Sequence, residues 1–197
     1  MDGALGHGSI LGLVSLADEL TRIAAVAAGH GDGDDTVAAV LAAEPQPGER
    51  LYLCAFHSAG GHRTWLALDG AGEPVRSRPA VRAAASIAGL CELAEETAGG
   101  GGLDELHAKL VAVRLTEAPP GIEDAEEAVL ALQCELGAPP HVASPARLDA
   151  IGRAALRLER ALGQTGGSPF TAALTAATGT LDALVAEVEG TYRLELA

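Results

Sequence analysis

Residues 51–68 hold three of the chain's five aromatic side chains, Tyr52, Phe56 and Trp65, together with Arg63 and the histidines His57 and His62. Rings gathered on one face can line a pocket for a planar or apolar small molecule, and an arginine beside them can pair with its anionic group. The same rings suit packing beneath a helix equally well. If His57 and His62 face each other across a tight connection they make a weak metal corner. Zinc needs a third or fourth ligand, and Cys54 alternates to the opposite face, so neither a metal nor any other cofactor is expected.

A second set lies near the end of the chain. Arg153, Arg157 and Arg160 fall at i, i+4 and i+7 and share one helical face, with Arg147 about a turn and a half earlier. Glu123, Asp124, Glu126, Glu127 and Glu159 can neutralise this strip within the molecule. Alternatively, the strip docks an acidic protein partner or a second subunit. Asp104 and His107 have helical spacing, but no Glu-x-x-His or His-Glu-x-x-His element accompanies them, so Asp104 and Glu105 are expected to complement a helix N-terminus. Gly99 to Gly102 lack the Lys and Ser/Thr of a phosphate loop and read as a linker. With no nucleophile elbow and no dinucleotide fingerprint, no residue is assigned a catalytic role.

Composition narrows the function classes. The 197 residues include 13 basic and 27 acidic side chains, a net charge of −14. Neutralisation of phosphates dominates nucleic-acid affinity, so neither nucleic acid nor an anionic membrane is an expected partner. Ile10 to Ala28 is apolar but interrupted by Asp18, Glu19 and Arg22, which makes it an amphipathic helix rather than a span. The first residues lack the positive charge of a secretory signal, and a cytoplasmic location is expected. Cys54, Cys91 and Cys134 are widely spaced and are expected to be buried, reduced thiols. The arginine-rich, almost lysine-free usage fits a GC-rich bacterial genome.

These side chains must be positioned by elements that the pattern outlines. Leu16, Leu20, Ile23 and Ala27 mark an amphipathic helix, and Asp35 is placed to cap a short helix through Ala43. Leu51–Phe56 and Arg63–Leu68 read as a hairpin closed by a Ser58–Gly61 loop, with His57 opposite His62, Phe56 opposite Arg63 and Cys54 opposite Trp65. That register puts Tyr52, Cys54, Phe56 and Trp65 on one face; Glu73–Arg76 is expected to add a short third strand. Helical stripes follow: Val81 to Ala94, Leu103 to Val113, Ile122 to Leu136, Leu148 to Leu162 and Phe170 to Val188, the last with a bundle-like seam through Ala177 and a weak point at Gly179.

The expected fold is α+β and predominantly helical, six or seven helices packed with one small antiparallel hairpin or three-stranded meander. A single domain is expected over 1–197, with 1–48 a helical arm, 49–77 the meander and 78–197 a helical body. The expected function is a non-enzymatic, acidic protein–protein interaction or assembly module that binds a protein partner or itself. The alternative is a small-molecule binding protein or enzyme with a pocket on the aromatic face of the hairpin.

Overall fold

A computed structural model describes residues 7–100, 102–163, 169–176 and 178–193. In chain order the elements are α1 (His7–Ala28), β1 (Thr36–Ala43), β2 (Leu51–His57), β3 (Arg63–Leu68), α2 (Arg78–Gly99), α3 (Leu103–Thr116), α4 (Ile122–Leu136), β4 (Val142–Ala143), α5 (Pro145–Ala161), α6 (Pro169–Ala176) and α7 (Thr178–Gly190). The strands form one mixed sheet of order β3-β2-β1-β4, antiparallel except for the parallel β1–β4 pair. The fold therefore departs from the expected helices around a hairpin or three-stranded meander. The described residues form a four-stranded mixed sheet, five helices of 14 to 22 residues and two shorter segments, α6 and α7.

The added strand is β1, where a short helix is expected. Its sequence, Thr-Val-Ala-Ala-Val-Leu-Ala-Ala, mixes helix-forming alanines with β-branched residues, so local preference decides little. Tertiary context decides it: β2 carries five consecutive buried residues, Tyr52 to Phe56, and needs a partner on each side. β3 supplies one and β1 the other, with an irregularity between Val37 and Ala39. Asp35 does not cap a helix; its carboxylate pairs with Arg193. The expected third strand at Glu73–Arg76 reduces to a single bridge between Leu68 and Pro74. Val75 N–H donates to Ala67 O (2.9 Å) and Trp65 N–H to Thr191 O (3.2 Å), so short segments close the outer edge of β3.

The described chain divides into two compact units. The first comprises residues 1–88, 138–144 and 184–197 and contains the whole sheet. Leu16, Ile23 and Ala27 of α1 bury the face formed by Ala42, Tyr52, Cys54, Phe56, Leu66 and Leu68. The α1 stripe recurs every three or four residues because its partner is one sheet face. The second unit comprises 89–137 and 145–183. Its core is Ala94 and Ala98 of α2, Leu110 of α3, Ala125, Ala128, Val129 and Leu132 of α4, Ile151, Ala154, Ala155 and Leu158 of α5, and Phe170 of α6. Small alanines at many of these positions allow close helix approach. Ala177 of the expected seam lies outside the described residues.

Candidate functional site

The turn between β2 and β3 decides what the hairpin can present. Gly61 sits at φ +78°, a left-handed conformation that glycine adopts without steric cost. It lets the chain close on Ser58 and His62, with Ser58 N–H donating to His62 O at 3.0 Å. Below this closure His57 pairs with Arg63, Phe56 with Thr64, Ala55 with Trp65 and Cys54 with Leu66. The register lies one residue from the expected one, and a one-residue slip exchanges the faces of a strand relative to its partner.

Tyr52 and Phe56 accordingly face α1 and are fully buried in its core, whereas Trp65, 1% exposed, lies on the other sheet face. The expected aromatic face is not assembled. His57 and His62 are likewise no longer cross-strand neighbours, and no group of three or more His, Cys, Asp or Glu placed to hold a metal occurs among the described residues. Cys54 and Cys91 are buried, but Cys134 is exposed, correcting the expectation for that thiol. Burial pushes the Cys54 thiol up to about 12, which keeps it a thiol rather than a nucleophilic thiolate at neutral pH.

Arg63 keeps its association with Trp65. Alternation puts both on the same face, and the Arg63 Cζ lies 4.7 Å from the centroid of the Trp65 ring. Glu187 of α7 reaches the same place, accepting from the indole N–H (3.2 Å) and lying 3.6 Å from Arg63 Nε. On the opposite sheet face, toward Phe56 and Thr64, lies Arg193, which the sequence reading did not single out. Its Cζ lies 4.3 Å from the Phe56 ring centroid, its Nε donates to Thr64 Oγ1 at 2.8 Å, and it pairs with Asp35. That hydrogen-bonded guanidinium holds the Asp35 carboxyl below the usual carboxylate range. Its only sequence signal was a basic residue four positions before the last of an acidic chain. A cavity of about 430 Å³ opens here, lined by His62, Arg63, Thr64, Thr191, Tyr192 and Arg193 with Gly190.

In the helical unit, Arg153, Arg157 and Arg160 all lie exposed on α5. Arg153 pairs with Asp149 of its own helix, and Arg157 reaches Glu127 of α4 at 2.8 Å. Arg147 is more enclosed and pairs with Glu95 at 2.8 Å. Glu126 instead binds Arg114 of α3 at 2.7 Å. Three residues beyond Glu127, and so on the same side of α4, Leu130 is 45% exposed. Asp104 lies in the first turn of α3 and accepts from Gln133 at 2.7 Å. The chain matches no protein-family model, no curated protein and no solved structure.

Proposed function

We propose that the chain is a non-enzymatic protein–protein interaction or assembly module of a cytoplasmic, bacterial-type protein. Its docking strip is the exposed Arg153–Arg157–Arg160 row of α5, and the partner is an acidic protein surface, which a second copy of this acidic chain can supply. One observation carries the reading: the arginine side chains are 70% exposed at Arg153 and 52% at Arg157, and Arg157 reaches Glu127, which shares a side of α4 with Leu130, itself 45% exposed. Exposed ion pairs such as Arg153–Asp149 and Arg157–Glu127 contribute at most about 1 kcal/mol, so the guanidiniums exchange them for a partner's carboxylates at little cost. Leu130 adds apolar area that leaves water on contact.

Sedimentation velocity of the parent protein and of the double variant Arg153→Glu, Arg157→Glu tests this at low and high salt. The expected result is self-association of the parent that weakens with salt and is lost in the double variant. A parent that stays monomeric at high micromolar concentration and low salt, or association untouched by the charge reversal, contradicts it.

A further inference from the structure

We propose that the cavity at the outer end of β3 is a binding site for a small oxyanion, a carboxylate or phosphate group, held by the Arg63 guanidinium. Although the chain carries −14 overall, the residues lining this cavity include two arginines and a histidine and no aspartate or glutamate. Each guanidinium lies over an aromatic ring, Arg63 on Trp65 and Arg193 on Phe56, one on each face of the sheet. A guanidinium over a ring satisfies its face and not its N–H edge, and such an edge recognises a planar or tetrahedral oxyanion through two parallel bonds.

The two arginines have different tasks. Arg193 is occupied: it donates to Thr64 Oγ1 and His30 O and pairs with Asp35, so it forms a fixed wall. Arg63 is 43% exposed, and among the described residues its ion pair is with Glu187, 3.6 Å from Nε. Among the described residues its Nη1 and Nη2 have no partner, which leaves the bidentate edge open to a ligand. The Thr64 hydroxyl accepts from Arg193 and keeps its own proton to donate. Glu187 is a resident carboxylate already beside the cavity, and it competes with an incoming anion for Arg63. The larger groove of about 530 Å³ that includes Arg50 lacks this character: Glu19 and Glu44 occupy both arms of Arg50 at 3.1 and 3.3 Å, and Glu49 and Asp69 line the groove as well.

Trp65 is the sole tryptophan, so the ring under Arg63 is its own reporter. The experiment titrates full-length protein with inorganic phosphate and, separately, with succinate, against sodium chloride at equal ionic strength. Fluorescence and the NMR shift of the Trp65 indole N–H are both followed. A saturable change with phosphate, with succinate or with both is expected, absent in chloride, and the arm that responds identifies the anion. Arg63→Gln weakens it about tenfold or more, because a charge-assisted bidentate contact is lost. Glu187→Gln keeps an acceptor for the indole but removes the competing charge, so it tightens binding several-fold. Circular dichroism confirms that both variants fold. No saturable response in either the parent or Glu187→Gln, a response matched by chloride, or affinity unchanged in Arg63→Gln overturns the proposal.

Discussion

The contact between Trp65 and Glu187 joins residues 122 positions apart and turns the packing of α7 against β3 into a measurable quantity. Glu187→Ala leaves an indole N–H without its acceptor in a side chain only 1% exposed. An unpaired buried donor of this kind costs about 1–3 kcal/mol. Glu187→Gln retains a carbonyl acceptor and loses only the pairing with the partly exposed Arg63, worth at most about 1 kcal/mol. Urea unfolding followed by Trp65 fluorescence reads the sheet-containing unit selectively, because the single tryptophan lies there. At a slope of about 2 kcal/mol/M, a loss of 2 kcal/mol lowers the midpoint by about 1 M. The expected order of stability is parent, then Gln, then Ala. If Ala lies within about 0.5 kcal/mol of the parent, or Gln costs as much as Ala, the indole is not held by this carboxylate.

Three further outcomes are expected. Ile23→Ala, at a fully buried position between α1 and the sheet, should destabilise the sheet unit by about 2–5 kcal/mol in the same urea assay; a loss under 1 kcal/mol contradicts that packing. A thiol reagent under native conditions should modify Cys134 rapidly and leave buried Cys54 and Cys91 intact, with mass mapping of the labelled peptides as the check. Among the described residues the buried Tyr52 hydroxyl has no hydrogen-bond partner, and burial, reinforced by the negative charge of Glu19, pushes it from 10 up to about 12. Between those values an unfolded tyrosine ionises while the folded one stays protonated, so stability present below pH 10 is lost as pH rises toward 12. Tyr52→Phe should leave neutral-pH stability unchanged or higher and soften this alkaline loss; an unchanged alkaline profile refutes the assignment.

Periodicity was informative where a stripe such as Leu16–Ile23–Ala27 or Val81–Ala84–Ala88–Cys91 records which face is buried. It failed at β1, where alanines blur the distinction between periods and the deciding influence is the need of β2 for a second neighbour. It failed again at the hairpin by a single residue, since the choice between two loop lengths rests on whether Gly61 turns left-handed, which Gly60-Gly61 leaves open. That one residue separates Trp65 from Tyr52 and Phe56. Arg63 was identifiable from its place beside an aromatic ring. Arg193 was not, because Asp35, Thr64 and Phe56 meet it only through folding across more than 100 residues.

The hairpin register is tested most directly by nuclear Overhauser contacts across β2 and β3 in uniformly labelled protein. Backbone contacts pairing Trp65 with Ala55 and Leu66 with Cys54 are predicted. Contacts pairing Trp65 with Cys54 and Arg63 with Phe56 would instead return the tryptophan to the face of Tyr52 and Phe56, and contradict its hydrogen bond with Glu187 on the other face.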